Sequence, residues 1–230
     1  MLEVTDLNQY YGDSHTLWDM NLKVERGSCT CLMGRNGVGK TTFLKSIMGL
    51  LPVRSGQIRF QETALPNQAP DRRAPAGIAY VPQGREIFAQ LTVEENLRTG
   101  LGAASNSGDV LLEIFELFPV LRTMLRRRGG DLSGGQQQQL AIGRALALKP
   151  SLLILDEPTE GIQPNIVSQI AEILMELNRA RGLTLLLVEQ KLKFAKRVAD
   201  SFVIMDRGRA VAGDTMEALT PEIVSKYLTV

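Results

Sequence analysis

The chain has 230 residues, of which 44% are hydrophobic and 22% are charged, an ordinary make-up for a globular protein with one good core or two small lobes. Lys and Arg number 26 against 25 Asp and Glu, so the formal charge of +1 gives no reason to expect nucleic acid as a partner. No apolar stretch approaches the roughly 18 residues of a membrane-spanning helix. The first residues also lack the basic segment and apolar core of a secretory signal. We therefore expect neither a membrane-spanning helix nor a secretory signal.

The first third of the chain predicts strands followed by one helix. Residues 1–33 read as short strands, and the last of them, 28–33, runs into a glycine-rich turn. Its two cysteines, Cys29 and Cys31, are the only ones in the chain, and we interpret them as small buried apolar residues. A helix is predicted from about 41 to 49, where Gly49 ends it.

The middle of the chain changes character. Residues 63–75 hold three prolines and no periodicity, which predicts a surface loop, and 78–82 predicts a strand. From about 84 to 150 the apolar residues follow helical spacing, with a loop of small residues at 100–108. We therefore expect a separate helical lobe here.

The last third predicts the remaining core. The runs 152–155 and 183–188 are almost wholly apolar, as is typical of parallel strands buried on both faces. The segments 202–206 and 209–213 flank an Arg-Gly pair and predict a hairpin. The sequence thus predicts an α/β fold in which a strand and helix core carries a helical insertion.

A phosphate-binding loop of the Walker A pattern lies between the predicted strand and helix. Glycines there let backbone N–H groups point at phosphate oxygens, and the helix N-terminus adds partial positive charge. Lys40 would supply a full charge to the β- and γ-phosphates, and Thr41 would offer its hydroxyl to Mg²⁺. The pattern comprises Gly34, Arg35, Asn36, Gly37, Val38, Gly39, Lys40 and Thr41.

The apolar run 152–155 ends in two carboxylates, as in Walker B. Asp156 is expected to hold Mg²⁺, usually through water, because Mg²⁺ dehydrates reluctantly. Glu157 is placed to polarise the attacking water. The pattern is weak alone, since apolar strands often end in Asp, but it follows a Walker A of good quality.

The pentapeptide 132–136 decides between the many NTPases that share these patterns. Leu-Ser-Gly-Gly-Gln resembles the signature of ATP-binding cassette (ABC) ATPases, and the resemblance covers essentially the whole chain. It implies a P-loop NTPase ABC cassette with a mixed core sheet, an N-terminal antiparallel β region and a helical subdomain. The core would be 1–84 and 151–230, and the helical signature subdomain 85–150, within one domain.

The resemblance also assigns roles to single residues. In this family the signature, here Ser133, Gly134, Gly135 and Gln136, faces the γ-phosphate of ATP bound to the other subunit. Tyr11 matches the aromatic residue that stacks on adenine, and Thr42 completes the nucleotide-binding set. Gln83 matches the Q-loop glutamine, which contacts Mg²⁺ and the attacking water and joins the core to the helical lobe.

Two positions depart from the broad family pattern. The D-loop reads Glu160-Gly161-Ile162-Gln163, without the usual aspartate. At the switch position, where most members carry a histidine, the chain has Gln190, whose amide could donate to the γ-phosphate without titrating. The alternative is that Gln190 only caps a helix. The single histidine, His15, lies near the N-terminus, and we interpret it as a solvated loop residue.

With these departures and the residues of its other motifs, the chain resembles the second ATPase subunit of branched-chain amino-acid and urea importers. The resemblance is closest to the urea-type branch. This implies ATP and Mg²⁺ as cofactors and a peripheral position on the cytoplasmic face of the cell membrane. It implies as partners a second ABC ATPase subunit, expected to be a different chain, two transmembrane permeases, and a substrate-binding protein through them. The alternatives are a branched-chain amino-acid importer, an ABC ATPase of DNA repair or translation, and a free-standing NTP-dependent enzyme such as a kinase.

Overall fold

Strands of the chain form two sheets in the computed structural model, which describes residues 1–67, 69–101 and 107–228. The first is an antiparallel sheet of four strands in the order β2-β1-β4-β5. The second has six strands in the order β10-β9-β3-β8-β7-β6. The strands are β1 (Leu2–Tyr11), β2 (Ser14–Val24), β3 (Cys29–Met33), β4 (Ser55–Phe60), β5 (Thr63–Ala64), β6 (Ile78–Val81), β7 (Leu152–Asp156), β8 (Thr184–Val188), β9 (Ser201–Asp206) and β10 (Arg209–Thr215).

The six-stranded sheet is parallel except for its edge strand β10, which pairs antiparallel with β9. Every residue of β3, β7 and β8 is buried. Alternate residues of β7 belong to opposite cores: Leu153 packs with the helices, and Ile154 packs with the antiparallel sheet. The parallel sheet is therefore the middle layer, as its apolar runs predicted.

Helices cover the parallel sheet and fill the connection between β6 and β7, where α2 to α5 lie. None of the helices in the described ranges is long and apolar enough to cross a membrane. The division into a core of 1–84 and 151–230 and a helical subdomain of 85–150 stays a prediction. The helices are α1 (Lys40–Ile47), α2 (Val93–Gly100), α3 (Ser107–Leu117), α4 (Pro119–Thr123), α5 (Gly134–Leu146), α6 (Pro164–Arg179), α7 (Leu192–Val198) and α8 (Pro221–Tyr227).

Two sequence predictions near the N-terminus were wrong. The strands β1 and β2 are 10 and 11 residues long rather than short, because irregular register between them breaks the alternation that would mark one long strand. His15 is not a solvated loop residue but lies on β2. Its ring stacks on Tyr10 at 4.0 Å and lies 3.5 Å from the ring of Trp18.

The expected loops also differ from the observed backbone. The segment 63–75 contains β5 and a single 3-10 turn, and Arg73 in it is buried. The Arg73 guanidinium donates to the carbonyls of Ile47 and Pro66 at 2.7 and 2.9 Å, so a charged side chain anchors this segment to the end of α1. The expected loop at 100–108 falls largely on residues 102–106, which lie outside the described residues.

The middle layer should dominate stability. Leu153→Ala removes a fully buried side chain from β7 and should lower the free energy of unfolding by about 2–5 kcal/mol. Leu112→Ala is the matched control, because Leu112 lies on the same kind of apolar pattern but is 53% exposed on α3. It should change the free energy by less than about 0.5 kcal/mol. Denaturant titration measures both, and equal losses would contradict the layer assignment.

Candidate nucleotide site

A tight loop joins β3 to α1 at the carboxyl end of the parallel sheet. A Cβ atom on Gly34 would lie 2.4 Å from the carbonyl oxygen of Met205 on β9, so only glycine permits this approach. Gly39 has a φ of 107° and precedes the first residue of α1. Gly208 in the β9–β10 turn donates its N–H to the carbonyl of Val38 at 3.0 Å. The hairpin thus closes on the back of the loop.

Lys40 reaches back into the loop that precedes it. Its side chain is 5% exposed, and its Nζ donates to the carbonyls of Gly34 and Arg35, both at 2.8 Å. The same nitrogen lies 3.9 Å from a carboxylate oxygen of Glu157. Burial lowers the pKa of Lys40, and the Glu157 carboxylate opposes that effect. The loop therefore encloses an ammonium group whose charge is balanced by two carbonyls and one carboxylate, at a place where an anion can bind.

The carboxylate of Asp156 lies at the end of β7 and is 1% exposed. Its Oδ2 accepts from the Tyr80 hydroxyl at 3.4 Å, and the Thr41 side chain lies near enough to lower the pKa of Asp156. Within the described part of the chain, Oδ1 is buried without a hydrogen-bond partner. Burial is the largest cause of the raised pKa of Asp156. An orphaned carboxylate oxygen beside a hydroxyl fits a hard cation such as Mg²⁺.

Gln190 connects two of the predicted site residues. Its side-chain amide nitrogen donates to a carboxylate oxygen of Glu157 and, at 2.6 Å, to Oδ1 of Asn36 in the phosphate loop. Glu157 itself has a φ of 48°, which is unusual for a residue with a side chain. The switch position is therefore in contact with the catalytic candidate, and its predicted bond to the γ-phosphate stays a prediction.

Gln83 has a partner within the chain, and its predicted contacts with Mg²⁺ and water stay predictions. Its amide nitrogen donates to the Glu160 carboxylate at 2.9 Å. The carbonyl of Glu160 accepts from the guanidinium of Arg85 at 3.2 Å. The Q-loop and the D-loop position are thus joined to each other within this chain.

Tyr11 ends β1 beside the start of α1. It is 50% exposed, and its hydroxyl lies 3.4 Å from Oγ1 of Thr42. An exposed ring next to the phosphate loop offers a flat face for a base.

The signature residues form the start of α5. Ser133 is the N-cap: its Oγ accepts from the N–H of Gln136, and the Gln136 side chain accepts from the N–H of Ser133 at 2.9 Å. A Cβ on Gly134 would lie 3.2 Å from the Arg85 guanidinium, and one on Gly135 would lie 3.0 Å from Ile166. The neighbours of the signature in the described structure are therefore the Q-loop and α6, and no hydrogen bond described here joins it to the phosphate loop.

Four contributors to the site escaped sequence analysis, namely Tyr80, Arg85, Glu160 and Gly208. Tyr80 was within a predicted strand, and its position next to the last residue of β6 gave the only usable signal. Glu160 was noted as a departure, but its bond to Gln83 spans 77 positions and has no signature in the sequence. The Arg85 guanidinium and the Gly208 N–H donate to the backbone carbonyls of Glu160 and Val38, and every residue has such a carbonyl, so residue type alone does not reveal these contacts.

Comparisons with known proteins agree with this geometry. Residues 17–160 match the family model described as ABC transporter. The high-affinity branched-chain amino acid transport ATP-binding protein BraG of Pseudomonas aeruginosa is 41% identical to this chain, and the alignment covers 99% of each of the two. The probable branched-chain amino acid transport ATP-binding protein LivF of Archaeoglobus fulgidus is 37% identical over 95% of this chain and 94% of its own.

A solved structure is similar along nearly the whole chain. It is the dimeric structure of a bacterial ABC transporter cassette, with a TM-score of 0.85 and 25% identity over 94% of this chain and 99% of that one. The predicted cassette fold is therefore confirmed. The chain belongs to the ABC transporter family, as an ATP-binding subunit that hydrolyses ATP.

Proposed function

We propose that this chain drives a membrane importer by hydrolysing ATP in a site that it shares with a second ABC ATPase subunit. One observation carries the proposal. The phosphate loop and both carboxylates meet around Lys40, whereas the signature at Ser133 has its contacts elsewhere in the same chain. A site that needs both parts is completed by a second subunit, and the similar cassette structure described above is a dimer.

The loop between β3 and α1 is proposed to bind the phosphates. Its N–H groups and the N-terminus of α1 favour negative charge. Lys40 would exchange its bonds to the Gly34 and Arg35 carbonyls for phosphate oxygens. The exposed ring of Tyr11 would stack on adenine.

Mg²⁺ is proposed to lie between Thr41 and Asp156. When bound, it would neutralise charge that develops on the β- and γ-phosphates. Among the described residues, no cluster of three or more His, Cys, Asp or Glu side chains could hold a metal. Mg²⁺ commonly binds through one or two carboxylates together with substrate phosphates, and Asp156 would be such a carboxylate.

Glu157 is proposed to accept a proton from the attacking water, and Gln190 to hold that carboxylate in place. The two donor hydrogens of the Gln190 amide suit two acceptors, and Glu157 and Asn36 take them here. With ATP bound, one of these hydrogens can turn to a γ-phosphate oxygen. Gln83 would offer the metal and the water its side-chain oxygen, which its bond to the Glu160 carboxylate does not use.

Partners follow from the family rather than from any contact within the chain. We propose a different ABC ATPase chain as the second subunit, two transmembrane permeases, and a substrate-binding protein that acts through them. The chain would lie on the cytoplasmic face of the membrane as a peripheral subunit. Nucleic acid is not expected, given the formal charge of +1.

The transported solute is proposed to be a branched-chain amino acid. Two relatives that align with nearly the whole chain, BraG and LivF, carry branched-chain amino acid transport in their names. Urea, which the sequence motifs favoured, gains no support from these relatives and stays a prediction.

Glu157→Gln should separate binding from turnover. Because the amide keeps the shape but cannot accept the proton, turnover should fall by about 10²- to 10⁴-fold while ATP affinity is kept. With the partner subunit present, the ATP-bound variant should also collect as pairs, seen by light scattering as the summed mass of the two subunits. Lys40→Ala is the comparison, since it should weaken ATP binding itself. Hydrolysis by Glu157→Gln at the parent rate would rule out the assignment.

Asp156→Asn should raise stability and abolish the effect of Mg²⁺. Burial raises the pKa of Asp156, so the charged form is costly in the folded chain at neutral pH, and the neutral amide removes that cost. In metal-free buffer the variant should melt above the parent. Added Mg²⁺ and ATP should raise the Tm of the parent well beyond that of the variant. Equal Mg²⁺-dependent shifts in both proteins would exclude Asp156 as a ligand.

Uptake assays separate the two solutes. Cells that lack this chain should lose ATP-dependent uptake of labelled leucine and keep uptake of labelled urea, and the parent gene should restore leucine uptake. Restoration by the Glu157→Gln gene would show that uptake does not need hydrolysis here. Loss of urea uptake with normal leucine uptake would instead favour the urea branch.

A further inference from the structure

A buried carboxylate lies directly beside the switch glutamine. Glu189 follows β8 and is 2% exposed. One of its oxygens accepts from the backbone N–H groups of Gln190 and Lys191 at 2.8 and 2.9 Å. The other accepts from the Thr159 hydroxyl at 2.7 Å. Both carboxylate oxygens are thus used, and they join two different loops.

Thr159 lies in the loop that follows β7, two residues after the proposed base. It is fully buried. Its carbonyl accepts from the side chain of Lys191 at 2.8 Å, which gives a second bond between the same two loops. A third, from the N–H of Glu157 to the carbonyl of Val188, measures 2.9 Å. The two loops are therefore held at a fixed separation next to the Glu157 carboxylate.

The choice of a carboxylate here is unusual in energetic terms. Burying a carboxylate is costly unless several donors satisfy it, and an apolar residue could fill the same space. Glu189 receives three hydrogen bonds from Gln190, Lys191 and Thr159. Bonds to a charged acceptor are stronger and more directional than neutral ones. The arrangement therefore fixes the backbone from which the Gln190 side chain extends.

We propose that Glu189 and Thr159 form a positioning pair that holds Gln190 against Glu157. The inference rests on the proposed roles of those two residues in hydrolysis. Gln190 reaches both Glu157 and Asn36 through a single amide nitrogen, so a small displacement of its backbone breaks one bond or both. Loss of the Thr159 hydroxyl frees one side of the Glu189 carboxylate and loosens that backbone. The loss of the Thr159 hydroxyl therefore affects hydrolysis through the position of Gln190.

The test is a double-mutant cycle in the full chain assembled with its partner subunit, measured as steady-state ATP hydrolysis. Thr159→Val keeps the shape and removes the hydroxyl, and kcat should fall about tenfold, the size of one lost bond to a charged acceptor. The KM for ATP should not change, because the phosphate loop is intact. Thr159→Ser restores a hydroxyl and should recover most of kcat. In the Gln190→Ala background, Thr159→Val should cause no further loss.

A matched control tests for a merely structural role. Thr30 on β3 is also buried, and its hydroxyl lies 3.1 Å from the Ser201 hydroxyl, outside the site. Thr30→Val should lower the Tm as Thr159→Val does but leave kcat unchanged. If the two variants lose kcat equally, the effect is one of folding and the inference fails.

The remaining outcomes separate this inference from the proposed function. A slow Gln190→Ala with a normal Thr159→Val would overturn the positioning pair alone. If the fold-losses of kcat in the two single variants multiply in the double variant, Thr159 does not act through Gln190. That result would also overturn the positioning pair. Parent rates for both Gln190→Ala and Glu157→Gln would overturn the proposed function and this inference together.

Discussion

The rest of the site depends on the hydrogen bonds and the ion pair that the buried Lys40 ammonium makes. Its charge needs partners, and the loop carbonyls of Gly34 and Arg35 together with the Glu157 carboxylate supply them. The loop can close around the ammonium only because residue 34 is a glycine, since a Cβ at this position would collide with β9. These bonds hold a cation at the carboxyl end of the parallel sheet, where ligands of open α/β folds bind. A triphosphate can then replace weak carbonyl acceptors with charged oxygens.

The loop after β7 connects this cation to the rest of the chain in two directions. Toward β8 it is joined through Thr159 and Glu189 to the backbone of Gln190. Toward the helices it is joined through Glu160 to Gln83, and Arg85 lies between that loop and the start of α5. A change at the γ-phosphate would thus reach both the switch residue and the signature helix. The bond to Glu160 uses the amide nitrogen of Gln83 and leaves its side-chain oxygen, the atom that a metal would bind.

Much of the fold follows from local patterns, whereas the polar network does not. The strands β7 and β8 appear as apolar runs, and the capping box at Ser133 and Gln136 appears as a residue pair at the required spacing. The Thr159–Glu189 and Gln83–Glu160 bonds span 30 and 77 positions and involve residue types that are usually exposed. His15 shows the same limit, since its partial burial depends on rings brought together by an irregular hairpin. Such contacts require knowledge of strand pairing, which sequence periodicity alone does not supply.

The central claim is that one chain holds half of the hydrolytic site. The most direct measurement is the rate of ATP hydrolysis per chain as the purified protein is diluted, with its mass followed by light scattering. If one chain holds half of the site, the rate should tend to zero where the chain is monomeric, while Mg²⁺ and ATP still raise its Tm. Added partner subunit should restore the rate. A finite rate that stays constant on dilution into the monomeric range would show that one chain holds a complete site.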